Sequence, residues 1–251
     1  MATVVRTASR RVVAALAATL VALLVTGCGE EEPATDPSSE PTVSPPPSDD
    51  PTTAPTTEPS PDPTAPGQPA LWPASDVIFD DPVEAAQDFL DTVLEAGEAG
   101  EFRQGDSRSG EVDALFTGES GDRSIVRSTL LLRQLGADGG WFVIAAVSPH
   151  AAITTPESLA QVPAARLSVE GVGRGFEATL NVSARVAGVA GEPLDLQIAQ
   201  GGPAAKALPF TTTLDLSGAA AGDVVTLMVR GGTGLETDPG DFGAIPVVIG
   251  G

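Results

Sequence analysis

From residue 176 onward, apolar and polar positions alternate one for one. Phe176, Ala178, Leu180, Val182, Ala184 and Val186 are interleaved with Glu177, Thr179, Asn181, Ser183 and Arg185. Successive side chains of an extended chain point to opposite faces, so this pattern predicts a long strand with one buried face. The alternation returns at Leu194, Leu196 and Ile198, and at Phe210, Thr212, Leu214 and Leu216. It returns again at Val225, Leu227 and Val229, and at Ile245, Val247 and Ile249. Turn-forming residues separate these runs at 188–191, Gly201-Gly202-Pro203, 218–222 and Asp238-Pro239-Gly240. About six or seven short strands at this spacing predict an all-β sandwich over 155–251. The chain has no tyrosine and only one cysteine, so an antibody-type disulfide and a tyrosine corner are both excluded.

A different pattern occupies 71–153. Asp81-Pro82-Val83-Glu84 combines an N-cap, a proline at the first helical position and the acid of a capping box. Val83, Ala86, Leu90, Val93 and Leu94 follow at helical spacing, with Phe89 beside them and Gly97 as the expected stop. Residues 112–116, 124–135 and 141–147 read as strands, and Ala137-Asp138-Gly139-Gly140 joins the last two as a hairpin. Trp141, Val143, Ala145 and Val147 are expected on one face, opposite Leu130 and Leu132 with Val126 behind them. The prediction is a small α+β module with one helix on an antiparallel sheet. Between helix and sheet, 102–112 reads as a polar loop. Either it offers Arg103, Asp106 and Arg108 to a partner, or Asp106 and Ser107 satisfy nearby backbone N–H groups in a turn.

The N-terminal part predicts location. Arg6, Arg10 and Arg11 precede the apolar run 12–25, which is shorter than the ~20 apolar residues needed to span a bilayer. Val25-Thr26-Gly27-Cys28 then resembles the lipobox of a bacterial lipoprotein signal. That resemblance implies removal of 1–27 as a signal peptide, acylation of Cys28 and attachment to the extracytoplasmic face of the cell membrane. An ordinary secretory signal with an incidental cysteine is the alternative. Residues 28–70 begin with that cysteine and continue as proline, serine, threonine and acidic residues with few large apolar ones. Such a composition predicts a disordered linker, acting either as a spacer or as a passive tail.

Charge narrows the partners. The chain has 13 basic and 34 acidic residues. Removal of the three signal arginines leaves ten against 34, a net charge of −24. Such a surface repels phosphate backbones, so no nucleic-acid partner is expected. It also repels anionic headgroups, which leaves the acyl chains to hold the membrane. With one cysteine, neither a disulfide nor a thiolate zinc site is available to the folded part.

The search for chemistry yields little. His150 is the only histidine and has no Gly-x-Ser-x-Gly elbow beside it. Gly171-Val172-Gly173-Arg174-Gly175 precedes a predicted strand, which excludes a dinucleotide loop. Glu236, Asp238 and Asp241 are weak candidates for a Ca²⁺ site on a glycine-containing loop, without EF-hand spacing. Asp106, Arg108, Arg174 and Glu177 are the candidates for partner binding. No catalytic residue and no cofactor is expected.

Residues 168–180, reading SVEGVGRGFEATL, resemble the opening of an immunoglobulin-like domain of the bacterial spore-germination and sporulation-associated family. Pro209-Phe210, the strand at 224–229 and Ala244-Ile245-Pro246-Val247-Val248 are similar to later parts of that family, and Asp238-Pro239-Gly240-Asp241 to its acidic glycine loop. Residues 105–112 and Arg133-Gln134-Leu135 resemble the segment preceding this domain in actinobacterial lipoproteins. The likeness covers about 75–250. It implies a C-terminal immunoglobulin-like sandwich and carries over no catalytic residues. The expected function is a non-catalytic binding, adhesion or structural lipoprotein of the cell envelope, engaging an envelope protein or wall component. The alternatives are a carboxylate-based wall hydrolase, which needs convergent acids, and a lipid or small-solute carrier, which needs an apolar cavity.

Overall fold

A computed structural model describes residues 69–118, 121 and 123–251. The signal at 1–27, Cys28 and the linker up to residue 68 lie outside the described residues. Among the described residues no helix is long and apolar enough to cross a membrane.

The fold is mostly antiparallel β-sheet with one short helix, α1 (Pro82–Phe89). Strands β1 (Glu98–Gln104), β2 (Ser109–Thr117), β3 (Ser124–Leu135), β4 (Gly140–Val147) and β5 (Ala151–Thr155) follow the helix. Next come β6 (Gln161–Val162), β7 (Arg166–Gly175), β8 (Thr179–Val186), β9 (Asp195–Gln200) and β10 (Gly202–Pro203). The series closes with β11 (Leu208–Asp215), β12 (Val224–Gly231) and β13 (Phe242–Ile249).

The larger sheet has the order β1-β2-β3-β4-β13-β12-β8-β9, with β6 pairing alongside β13. It runs without a break across residue 154, because Ala146 of β4 pairs with Ala244 of β13. The smaller sheet has the order β10-β7-β11, with β5 also on β7.

Two hydrophobic clusters follow from side-chain alternation. Val225, Leu227 and Val229 of β12 enter a cluster with Val169, Leu180, Phe210, Leu214 and Val247, between the two sheets. Met228, which points to the opposite face, joins Phe242, Ala244, Phe89, Leu90 and Trp141 under the helix. The larger sheet is thus covered by α1 on one face and by the smaller sheet on the other. Thr226 shares the helix-side face, and its Oγ1 is the one buried side-chain polar atom lacking a partner among the described residues.

The helix begins as the sequence dictates. Asp81 Oδ1 accepts from Val83 N at 2.7 Å and Glu84 N at 3.1 Å, and Pro82 occupies the first helical position. Such a cap contributes about 1 kcal/mol. The end differs from expectation. The last turn, Leu90–Leu94, widens to a π-turn and stops at Glu95 with φ 56°, two residues before Gly97. Arg230 of β12 donates to Leu94 O at 3.2 Å, so a cation sits against the exposed carbonyls of the helix end. Burial holds that guanidinium's pKa below its usual value. Gln87 ties the helix to β1, since its Oε1 accepts from Ala99 N at 2.8 Å.

Two β-bulges shift the expected faces of the hairpin. Ala114 pairs with Ser128 but Leu115 pairs with Val126, so Arg127 is an extra residue in β3. The shift moves Val126 to the solvent face, where it is 52% exposed, while Leu130 and Leu132 stay buried. Likewise Leu132 pairs with Val143 and Leu131 with Ala145, leaving Ile144 extra in β4. Ala146 therefore joins Trp141 and Val143 on the core face in place of Ala145, and Val147 faces solvent. A third correction concerns β9. Its core residue is Ala199, whereas Leu196 and Ile198 point outward at 53% and 74% exposure.

Candidate functional site: an arginine-lined cleft beside the β12–β13 loop

The connection 232–241 between β12 and β13 is acidic and glycine-containing, and it folds back on itself. Asp238 Oδ1 accepts from Gly240 N at 3.0 Å, an Asx-type turn. Gly240 has φ +69°, and a Cβ there would lie 1.9 Å from Gly231 O. Gly231 in turn donates its N–H to Asp241 O at 2.9 Å. A Cβ on Gly231 would meet Arg174 O at 1.8 Å, so the loop base lies directly on the end of β7. Both positions therefore require glycine, one for its backbone conformation and both for space.

This turn presents two buried carboxylates, Asp238 and Asp241, each 7% exposed. Burial of a charge is tolerable only with a partner, and two arginines supply it. The bulged residue Arg127 donates Nε to Asp238 Oδ1 at 2.8 Å and Nη2 to Asp238 Oδ2. Its Nη1 is 3.8 Å from Asp241 Oδ1. Arg174 of β7 donates Nε to Asp241 Oδ2 at 2.7 Å. The Arg127 guanidinium also lies over the Phe116 ring, 5.8 Å from its centroid. Residues from β3, from β7 and from the loop thus meet in one ion-pair chain.

A cleft of about 220 Å³ opens beside this chain, lined by Arg127, Arg174, Phe176, Asp241 and the Gly231–Thr233 backbone. Its rim is unusual. Phe176 is 56% exposed, and Glu177 and Ala178 follow with φ 54° and 59°. Neither residue is a glycine, and left-handed backbone costs about 1–2 kcal/mol at each such position. The expected long strand from residue 176 therefore begins only at Thr179, after a single 3-10 turn at Phe176–Ala178. Phe176 N donates to Gly232 O at 2.7 Å, which holds the turn against the loop, and Gly201 N donates to Ala178 O at 2.8 Å, which ties it to the end of β9.

Three of the residues singled out in the sequence, Arg174, Asp238 and Asp241, are brought together here, and Glu177 stands exposed at the rim. Glu236 lies on the same loop but points to solvent. Asp106 and Arg108 are elsewhere, in the β1–β2 hairpin. There Asp106 Oδ1 accepts from Arg108 N at 2.7 Å, and Arg108 Nη2 donates to Gln134 O at 3.1 Å. The Arg108 N–H holds the Asp106 carboxyl below its usual pKa. Arg103 leans back onto Asp113 at 2.6 Å and onto Glu111 at 3.3 Å. Residues 102–112, expected as a loop, are mostly the two strands of this hairpin.

Sequence reasoning missed Arg127. The available signal was a charged residue between the apolar runs Ile125-Val126 and Leu130-Leu131-Leu132, and its meaning depends on a bulge that the sequence pattern hides. Among the described residues no group of three or more His, Cys, Asp or Glu side chains is gathered to hold a metal ion. At Asp238 the carboxylate oxygens face arginine and a backbone N–H, leaving a cation no free pair of acids. The donor inventory of the arginines is less fully used. Among the described residues Arg174 spends only Nε on protein, and Arg127 Nη1 is too far from Asp241 for a hydrogen bond. The chemistry available is recognition by guanidinium donors next to an exposed aromatic ring.

Comparison with family models, with curated proteins and with solved structures returns no match to this chain.

Proposed function

We propose that this protein is a non-catalytic binding module of the bacterial cell envelope. It is tethered to the extracytoplasmic face of the membrane by acyl chains on Cys28 and carried on the linker 29–70. The folded part is read as two fused modules, an α+β unit at 71–153 and an immunoglobulin-like sandwich at 155–251. The two hydrophobic clusters support this reading. One draws on residues from 162 to 249 with one addition, Ala151, and the other draws on 71–146 with three additions, Met228, Phe242 and Ala244.

One observation carries the binding assignment. The two buried acids among the described residues, Asp238 and Asp241, are engaged by arginines, whereas arginine donors and Phe176 remain open at the cleft. A hydrolytic carboxylate pair needs one acid free to carry a proton and another free to attack or activate water. A binding surface needs directional donors and an apolar anchor, which this rim offers.

The test is sedimentation of the full chain with purified cell-wall sacculi and with solubilised envelope, while soluble wall fragments are followed by chromatography. Saturable retention without fragment release is the expected result. Time-dependent release of wall fragments by the purified chain would overturn the proposal.

A further inference from the structure

The arginine cleft is selective in what it can accept. Among the described residues Arg174 and Arg127 present guanidinium nitrogens not committed to protein, and the side chains are 24% and 15% exposed, so water and small groups reach them. Arg174 Nε donates to Asp241 Oδ2, and among the described residues no protein acceptor meets its Nη edge. A pre-oriented planar fork matches a planar two-oxygen acceptor. The two aspartates match the two arginines one for one, so the ion-pair chain carries no net charge, and the protein as a whole is strongly acidic. With Asp241 in the same wall, repulsion is smaller for a monoanion held by directional guanidinium hydrogen bonds than for a dianion such as a phosphate. The size also decides. About 220 Å³ is below the usual range for a drug-sized ligand, ~300–1,000 Å³, and suits the end of a chain, not its middle. Finally, Phe176 stands exposed on a strained turn at the rim, where an apolar group next to the anion would lie on its ring.

We propose that this cleft binds a carboxylate borne on a peptide. The Arg174 Nη edge and Arg127 Nη1 take the carboxylate oxygens, and Phe176 takes the adjacent apolar side chain. This deepens the binding reading above and rests on it. The carboxylate can come from a free peptide C-terminus or from an acidic side chain, and the small volume favours the C-terminus.

The test is calorimetric titration of the full chain in detergent with three probes. These are N-acetyl-Ala-Phe with a free C-terminus, the same dipeptide as its C-terminal amide, and N-acetyl-Phe-Asp-amide. The free acid is expected to bind at one site, with the amide weaker by about tenfold or more, the loss typical of charge-assisted hydrogen bonds. Arg174→Lys keeps a cation for Asp241 but removes the fork. It should lose a similar factor with an unchanged melting curve, which separates recognition from folding. Phe176→Ala should weaken the acid severalfold, and Arg166→Gln, exposed at the far end of β7, should leave it unchanged. Binding of the Asp amide above the free acid would support the same chemistry and assign it to a side chain. Equal affinity for acid and amide, no saturable binding of either, or full binding by Arg174→Lys would overturn the proposal. If wall or envelope retention persisted while all three probes failed, the cleft assignment would fall and the binding-module reading would stand.

Discussion

Arg127 and Asp238, 111 positions apart in the chain, meet through two parallel hydrogen bonds in which the Nε and Nη2 of the arginine face the two oxygens of the aspartate. The aspartate side chain is 2% exposed and the arginine 15%. Removing one partner would leave a buried charge unpaired, which typically costs about 3–5 kcal/mol. Asp238→Ala is therefore expected to lower the urea midpoint sharply. The double variant Arg127→Met, Asp238→Ala should recover most of the loss, because an apolar pair has no charge to desolvate. Equal destabilisation in the single and double variants would show that the ion pair is not what the aspartate contributes.

Gly240 and Gly232 offer a matched comparison in one loop. Gly240→Ala meets a left-handed backbone and the Gly231 carbonyl oxygen together, and should cost about 2 kcal/mol or more. A Cβ on Gly232 would touch nothing within 4 Å, so Gly232→Ala should change stability by less than about 1 kcal/mol. Thermal melts of the two variants check the difference.

Thr226 points the other way. Its hydroxyl is buried without a partner, at 3% exposure of the residue. Thr226→Val removes that hydroxyl at nearly constant shape. It should raise stability by about 1 kcal/mol, the lower end of the penalty for an unmade hydrogen bond. A loss of stability in denaturant titration would mean that the hydroxyl has a partner such as an ordered water.

Acid sensitivity has an identifiable source at Asp113. Hydrogen bonding to Arg103 holds this carboxyl below its usual pKa, assisted by Thr129 Oγ1 at 2.9 Å. A depressed native pKa contributes stability that is complete above the unfolded value of about 3.9 and is lost as pH falls through the native value. Asp113→Asn removes that titration. The urea midpoint of the unmodified protein should therefore fall more steeply than that of the variant as pH drops below about 4. Parallel curves would assign the acid sensitivity to other carboxylates.

Tethering has its own variant. Cys28→Ser removes the sole thiol that acyl chains can occupy. The variant is expected in the aqueous phase after detergent phase separation, with the unmodified protein in the detergent phase. A serine variant that stayed with detergent would end the lipid-anchor proposal.

Much of this architecture was legible in the sequence, for identifiable reasons. The Asp81-Pro82 start is local chemistry, and it was found where expected. The alternating runs at 225–229 and 245–249 fell on one inner face because both strands are regular there. Bulges defeated the pattern at Val126 and Ala145, since one inserted residue reverses the face of everything beyond it. Ile198 misled for another reason. It lies on β9, the last strand of the larger sheet, and alternation alone does not say which of two faces is covered. At the candidate site, Asp238, Gly240 and Asp241 announced a turn and Arg174 lay in a glycine-rich strand. What joined them to Arg127 was long-range pairing, which no local pattern encodes.

The place of β13 has a consequence for how the chain must mature. Phe242–Ile249 lies between β4 and β12, and β4 is complete at Val147, long before this last strand is synthesised. Until that stretch arrives, β4 and β12 each keep an open flank, and the apolar residues that face Phe242, Ala244 and Val247 stay wet. Closure is therefore a late, nearly all-at-once event. A nascent or clipped chain stopping short of residue 242 would have two unfinished halves to shield from aggregation, not one finished half and a loose tail.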